Sequence, residues 1–232
     1  MEERPKQWIV KSDPPKSNDD VGGIPSILLK LLGQRGVVGK EAISAFLKPK
    51  LKDLSDPFLM PNMEAAVERI FQAVDQKETV VVYGDYDVDG ITSVALMRNV
   101  LDAYGVPGGI FIPKRGKEGY GLSDAAIDNL LEQHGKPDLI ITVDCGTASI
   151  NEIDRLSDLG IDVIVADHHE MSNLGCPDCV AVVNPKLGDD FQYLCAAGVV
   201  FKVAHALLKR RKVDGFDLKD FIDMVAVATV AD

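Results

Sequence analysis

Three aspartates stand at alternate positions directly after a run of β-branched residues. They are Asp85, Asp87 and Asp89, in the segment VVVYGDYDVDG of residues 80–90. Carboxylates this close together repel one another unless a cation lies among them. The spacing therefore predicts a metal site.

The same D-x-D-x-D-G pattern also opens an EF-hand calcium loop. If Asp85 is position 1 of such a loop, position 12 is Leu96, where a bidentate Glu is required. The residues before Asp85 also predict a strand, whereas a helix precedes an EF-hand loop. We therefore reject the EF-hand.

The composition narrows the class of protein. With 232 residues and 46% hydrophobic content, the chain can form one large domain, or one domain with an appendage. Four cysteines, no signal-peptide pattern and no apolar run of membrane-spanning length predict a cytoplasmic protein without a membrane partner. The formal net charge of −11 counts against a nucleic-acid partner, although a carboxylate-rich metal site contributes to that charge.

The N-terminal third differs from the rest of the chain. Residues 1–20 are polar and proline-rich, which predicts a flexible arm. Residues 21–76 contain helical patterns at 24–32, 40–47 and 62–74, separated by Gly and Pro. We expect this segment to be a small helical appendage that only packs on the main domain.

Strands alternate with helices from Thr79 onward. The predicted strands are 79–83, 109–112, 138–143, 161–166 and 180–183, and the predicted helices are 91–104, 123–134, 149–159, 196–210 and 217–230. The strand segments are continuous apolar runs, which is typical of strands buried on both faces. The pattern predicts an α/β fold with a doubly wound, mainly parallel five-stranded sheet.

The ends of these predicted strands carry the remaining candidate ligands. Asp144 ends the third strand, and Asp167, His168 and His169 end the fourth. Ligands of such sheets bind beyond the carboxyl ends of the strands, so these residues and the three aspartates should form one site. Carboxylates and imidazoles suit Mn²⁺ or Mg²⁺. Two such ions bridged by one Asp suit phosphoester hydrolysis.

Six ordered segments carry a resemblance to a known family. GDYDVDGITS, VDCG, ADHHE, VVNPK, CAAGVVFK and VATVAD follow the order found in the DHH phosphoesterase superfamily. The set resembles the RecJ branch, the 5′-to-3′ single-strand DNA exonucleases. The resemblance implies two-metal-ion release of 5′-mononucleotides from single-stranded DNA in DNA repair and recombination. It also implies a single-strand-binding protein or a helicase as cellular partners.

The resemblance assigns a role to each metal-ligand position. Asp87 and Asp89 match the paired ligands of the first motif, and Asp144 matches the acid that bridges both metals. His168 matches a metal ligand, and Asp232 matches the acid that closes the second metal site.

Three further positions have supporting or open roles. His169 matches the histidine that faces the substrate phosphate, and Asp167 is expected to fix an imidazole from outside the ligand set. Direct ligation and indirect support are equally open for Asp85, because relatives place different groups there.

The resemblance also implies that the segment IPKRGKEGYGL faces the substrate. Arg115 and Lys117 would contact DNA phosphates, and Gly119 and Gly121 would let the backbone approach closely. The alternative is a solvated basic loop.

Other functions stay open from the sequence. Within the superfamily, the alternatives are hydrolysis of short oligonucleotides, cyclic dinucleotides or pyrophosphate. A pyrophosphatase should carry a histidine ahead of its aspartate pair, and none is present. The alternative from another class is a catalytically silent DHH scaffold in a replication assembly. The chain keeps every ligand position that we identify, which favours an enzyme.

Several features remain outside this site. Relatives continue into a DHH-associated domain and an OB-fold-like domain, so we interpret residues 77–232 as a truncated catalytic domain.

Cys176 and Cys179 form a C-P-D-C segment without a second pair at zinc-finger spacing, and we expect no metal or redox role. Gly198 is expected to allow close helix packing, with phosphate binding at the helix start as the alternative.

Overall fold

The computed structural model describes residues 23–114, 116 and 121–232. The chain divides into two compact units, with the boundary between Ser55 and Asp56. The arm predicted over residues 1–20 lies outside the described residues. In the described part of the chain, every helix is too short or too polar to cross a bilayer.

The first unit is helical, as the sequence predicts. It contains α1 (Ser26–Gln34), α2 (Lys40–Leu47) and a 3-10 turn (Leu51–Asp53). Leu32 and Ile43 are the buried apolar side chains among its described residues. Most other large apolar side chains of this unit are exposed.

The second unit begins with a 3-10 turn (Pro57–Leu59) and α3 (Met63–Gln76). The apolar face of α3 is buried in the core beneath the sheet, through Met63, Ala66, Val67, Ile70 and Ala73. The sequence pattern predicts this helix as part of the appendage at 21–76. The structure places it in the sheet unit, because its apolar residues at helical spacing pack against the strands.

The second unit is built around a sheet in which all strands are parallel. The strands are β1 (Val80–Gly84), β2 (Gly108–Phe111), β3 (Leu139–Val143), β4 (Asp162–Ala166) and β5 (Ala181–Val183). Their order is β2-β1-β3-β4-β5, and each neighbouring pair is parallel. The predicted five-stranded α/β fold is confirmed.

Helices cover both faces of the sheet. They are α4 (Val88–Ala103), α5 (Asp124–His134), α6 (Ile150–Asp158), α7 (Ala196–Arg210) and α8 (Ile222–Ala231). One core contains residues of α3, α4 and α7, and the other contains residues of α5 and α6. The sheet is therefore doubly wound, and its central strands are buried on both faces.

Two helix starts differ from the prediction. Helix α4 begins at Val88 rather than at 91, because the Asp87 carboxylate caps it by accepting the Gly90 N–H at 2.9 Å. Helix α8 begins at Ile222 rather than at 217, because residues Leu218–Phe221 form a 3-10 turn.

A buried arginine ties α3 to the amino ends of the strands. Arg69 Nε lies 2.5 Å from Asp162 Oδ2, and Arg69 NH1 lies 2.6 Å from Glu78 Oε2. Asp162 begins β4 and Glu78 precedes β1. The ion pairs therefore lie at the end of the sheet opposite the predicted site.

Candidate metal centre

Three neighbouring strands bring the predicted site residues to one edge of the sheet. Asp85 follows β1, Asp144 follows β3, and Asp167 and His168 follow β4. The register pairs Gly84 with Val143 and Val143 with Ala166, so the three strands end at the same level. The residues that follow them therefore begin side by side.

The side chains at this edge form three overlapping groups of potential ligands. The groups are Asp85–Asp87–Asp144, Asp144–His168–His169 and Asp89–His168–Asp232, and within each group the ligand atoms lie within 4.8 Å of one another. Asp144 and His168 each belong to two groups. Adjacent cations in this arrangement would share ligands.

His168 lies at the centre of the carboxylates. Its Nε2 atom lies 3.4 Å from Asp144 Oδ1, 3.7 Å from Asp89 Oδ2 and 3.8 Å from Asp232 Oδ1. These separations exceed normal hydrogen-bond lengths. They approach the spacing of about 3 Å between neighbouring ligands of an octahedral ion with bonds of about 2.1 Å. The donor set therefore fits a hard divalent cation.

Asp144 holds an unfavourable backbone conformation and an unfavourable charge. Its φ is +61°, in the left-handed region that costs a non-glycine residue about 1–2 kcal/mol. The side chain is buried, and burial raises the pKa of Asp144 to about 7; His168 opposes the rise, and the charges of Asp89 and Asp87 add to it. A bound cation would offset this cost.

The buried carboxylate of Asp89 is fixed by the start of α7. It accepts the N–H of Ala196 at 2.7 Å and that of Ala197 at 2.9 Å. The positive end of the helix dipole favours the carboxylate as well. These amides are engaged by Asp89, which argues against the alternative of phosphate binding there. A Cβ at Gly198 would lie 3.0 Å from the Leu194 side chain, which agrees with close packing.

The first two aspartates of the motif differ in burial. Asp85 is fully buried, and its Oδ1 accepts the Tyr86 N–H at 2.7 Å. Asp87 is exposed and caps α4. Because Asp85 both supports the local backbone and belongs to a ligand group, direct ligation and indirect support stay open for it.

Asp167 holds the second histidine. Its Oδ1 accepts the His169 N–H at 3.2 Å and lies 2.8 Å from His169 Nδ1. This contact raises the pKa of His169 to about 9, against the opposing effect of burial. Burial acts to raise the pKa of Asp167, but its hydrogen bonds to His169 and Thr147 outweigh burial and hold that pKa at about 2. The imidazole that Asp167 fixes is therefore that of His169.

Two residues that the sequence analysis did not single out support this pair. The buried Asn184 Nδ2 donates to Thr147 Oγ1 and to the His169 carbonyl oxygen, both at 2.9 Å. The Thr147 N–H donates to Asp167 Oδ2 at 3.0 Å. Asn184 follows β5 just as Asp167 follows β4, so the rule about strand ends could have found it.

The predicted substrate segment is described only at its ends. Arg115 and residues 117–120, which include Lys117 and Gly119, lie outside the described residues. Gly121 is described, and its carbonyl oxygen accepts the Tyr83 O–H at 2.7 Å. Tyr83 lies in β1, directly before the aspartate motif.

Basic residues at the end of α7 pair with acids around α3. Lys209 Nζ lies 2.6 Å from Asp56 Oδ2, and Arg211 NH1 lies 2.7 Å from Asp75 Oδ1. Arg210 pairs with a glutamate at the start of α3. This cluster joins α7 to α3, and its charges are neutralised.

The four cysteines are free thiols. Burial raises the pKa of Cys179 to about 11, which keeps that thiol protonated and unreactive.

The fold and the metal centre define a protein class, and comparison with known proteins establishes it. The chain belongs to the DHH family, whose N-terminal domain matches residues 79–229.

The chain is similar to curated relatives. It is 39% identical over 232 residues to the single-stranded-DNA-specific exonuclease RecJ of Bacillus subtilis (strain 168), a match that covers 97% of this chain and 28% of the relative. It is 35% identical over 202 residues to the protein of that name from Thermus thermophilus, a match that covers 84% of this chain and 29% of the relative. The chain thus spans less than a third of these relatives' length.

Solved structures show the same likeness. A crystal structure of exonuclease RecJ bound to manganese matches with a TM-score of 0.66 and 34% identity, covering 75% of this chain and 43% of that chain. The crystal structure of RecJ from Thermus thermophilus in complex with Mn²⁺ matches with a TM-score of 0.64 and 28% identity, covering 90% of this chain and 31% of that chain.

Proposed function

We propose that this chain carries the catalytic domain of a metal-dependent exonuclease. The enzyme hydrolyses single-stranded DNA from 5′ to 3′ and releases 5′-mononucleotides, in DNA repair and recombination. The proposal rests above all on the position of Asp144, which belongs to two groups of potential ligands at the sheet edge. The relatives named as single-stranded-DNA-specific exonucleases support the choice of substrate.

Two cations, Mn²⁺ or Mg²⁺, are proposed to occupy the centre. Asp87 and Asp144, with Asp85 either as a further ligand or as support, would hold one ion, and Asp89, His168 and Asp232, with Asp144 between them, would hold the other. Oxygen and imidazole donors suit both metals. When bound, a pair of divalent ions supplies an activated water and stabilises the negative charge that develops on the phosphate oxygens.

His169 is proposed to contact the substrate phosphate. Asp167 accepts the proton on Nδ1, so a contact with a phosphate oxygen would be made through Nε2. The His169 side chain is 43% exposed, so a ligand can reach it. The hydrogen bond from Asn184 to the His169 carbonyl oxygen holds the backbone of the same residue.

The substrate and its surroundings complete the proposal. Arg115, Lys117 and Gly119 would contact the DNA backbone.

Residues 56–232 would form the catalytic domain, and the wider activity would belong to a larger protein with further domains that complete the cleft. A single-strand-binding protein or a helicase would be its partners. The four free thiols support a reducing compartment, which we propose is the cytoplasm.

Product analysis tests the proposed function. The full-length parent protein is incubated with Mn²⁺ and single strands that carry distinct labels at the two ends, and the first product is identified. We expect a labelled 5′-mononucleotide, and no product from Asp144→Ala protein. First release from the 3′ end, or hydrolysis only of short oligonucleotides or cyclic dinucleotides, would contradict the proposal. Complete inactivity of a folded, Mn²⁺-binding protein would favour the scaffold alternative.

A further inference from the structure

The charge of the chain is divided unevenly between its two units. Residues 23–55 contain six basic and two acidic residues, whereas residues 56–232 contain 15 basic and 29 acidic residues. The overall charge of −11 therefore conceals a short segment, residues 23–55, whose formal charge is +4. A phosphate chain is repelled by the second unit and attracted by the first.

The second unit also neutralises most of the basic side chains that the structure describes in it. Eight of its described basic side chains lie within 4.0 Å of a carboxylate: Arg69, Arg98, Arg155, Lys186, Lys209, Arg210, Arg211 and Lys219. A cation that already pairs with a carboxylate must give up that partner to bind a phosphate. These residues are therefore poor candidates for strand binding.

The first unit presents lysines of a different kind. Lys40, Lys48 and Lys50 line a groove of about 580 Å³ in this unit. Lys40 is the first residue of α2 and Lys48 directly follows its last, and both line the groove together with Ser44. Within the described residues, no carboxylate pairs with any of the three lysines. Glu41 and Asp53 also line the groove, so the ammonium groups outnumber the carboxylates by one.

We propose that this groove binds the phosphodiester backbone of a nucleic-acid strand. That the strand is single-stranded DNA rests on the proposed function. Three unpaired ammonium groups give attraction without sequence preference, because each neutralises a phosphate and releases its counterions. The helical unit is thus a strand-binding element. It attracts the phosphates of the strand, which the acidic sheet unit repels.

The test is a salt series on the 232-residue chain. Binding of a fluorescently labelled oligothymidylate is measured by anisotropy in the presence of a chelator, so that no hydrolysis occurs. The variant Lys40→Gln/Lys48→Gln/Lys50→Gln should make the negative slope of log K against log salt shallower by about 2, because each phosphate contact contributes about −0.7 to that slope. Its affinity at low salt should fall by about tenfold or more. Arginine at the same three positions should preserve the slope.

The matched control removes three lysines from the second unit, as Lys77→Gln/Lys136→Gln/Lys212→Gln. None of these pairs with a carboxylate within the described residues, and the change in total charge is the same. We expect its slope to equal that of the unsubstituted chain. An equal loss in both variants would overturn the proposal, because it would reflect total charge. An unchanged slope in the groove variant, or no measurable binding by the unsubstituted chain, would overturn it as well. If polyglutamate bound equally tightly, the ligand of the groove would be an acidic protein rather than a nucleic-acid strand, and the proposal would be wrong.

This test is independent of the proposed function. Strand binding is measured without metal, so a chain that fails to hydrolyse DNA can still show the lysine-dependent slope. Conversely, if the groove variant binds the strand as tightly as the unsubstituted chain, the inference about the groove fails. The proposed Mn²⁺-dependent hydrolysis by the parent protein would not be contradicted by that result.

Discussion

Asp167 Oδ1 lies 2.8 Å from His169 Nδ1, and the Asp167 carboxylate also accepts the N–H of both histidines that follow it. One buried acid therefore fixes the ring and the backbone of the DHH segment together. Asn184 extends this support from the next strand, through the His169 carbonyl oxygen and Thr147.

Removal of the Asn184 side chain tests this support. Asn184→Ala loses these two hydrogen bonds and also the one that its Oδ1 accepts from the Lys186 N–H. We expect kcat to fall by about 10–100-fold, which is typical when the residues that orient a metal site are removed. KM and the stabilisation by Mn²⁺ should change little, because the metal ligands remain. Steady-state kinetics measure kcat and KM, and melting curves with and without Mn²⁺ measure the stabilisation. Asn99→Ala, which removes an exposed amide from α4, serves as the control. Loss of Mn²⁺ binding in Asn184→Ala would show a broader structural role.

Asp144 gives a prediction that separates stability from function. Because its φ is +61° and its carboxylate is buried among like charges, Asp144→Gly should raise the stability of the metal-free protein by about 1 kcal/mol. The same variant should lose hydrolysis and stabilisation by Mn²⁺. Asp144→Ala should lose both as well, without the gain from relieved backbone strain. Denaturant melts in chelator, followed by assays in Mn²⁺, measure these effects. A folded Asp144→Ala protein with normal turnover would refute the shared-ligand assignment.

Metal binding should stabilise the second unit, because a cation that binds only the folded state favours it. At a free Mn²⁺ concentration of about 100 times Kd, the expected gain is about 2.7 kcal/mol. Asp89→Asn should blunt this gain, since Asp89 belongs to a ligand group. The control is Asp102→Asn, which removes one charge from the same helix outside the site. Identical melting curves in saturating Mn²⁺ and in chelator would show that the site does not bind the ion.

Arg69 should matter for stability and not for chemistry. Arg69→Met leaves Glu78 and Asp162 without their cation, and we expect a loss of about 2 kcal/mol, discounted because the Asp162 side chain is half exposed. For a unit of this size, that corresponds to a fall in Tm of roughly 4–8 °C. Lys219→Met, which removes an exposed pair, should leave Tm nearly unchanged. Below its Tm, the Arg69→Met protein should keep normal turnover, because Arg69 lies at the other end of the sheet.

The strands and most helices could be predicted because their signals are local. Continuous apolar runs mark β1, β3 and β4, and each run ends at a polar residue that the parallel sheet brings to the common edge. The sequence predicts α3 as part of the appendage, whereas the structure has it in the sheet unit, because an apolar face does not reveal what it packs against.

Other features depend on distant residues and carry no local signal. The amides of Ala196 and Ala197 that hold Asp89 come from more than 100 positions away. The acids that pair with Lys209 and Arg211 are also more than 100 positions away in the sequence. The left-handed backbone at Asp144 is likewise invisible in the sequence, because nothing in VDCG requires it.

The central claim is that two cations share Asp144, and the electron paramagnetic resonance of the chain titrated with Mn²⁺ tests it most directly. Ions about 3.5–4 Å apart are magnetically coupled. We predict that the unsubstituted chain binds two Mn²⁺ ions and gives the spectrum of a coupled pair, and that the pair is lost in Asp144→Ala. A spectrum of isolated ions in the unsubstituted chain, or a coupled pair that persists in Asp144→Ala, would contradict the account.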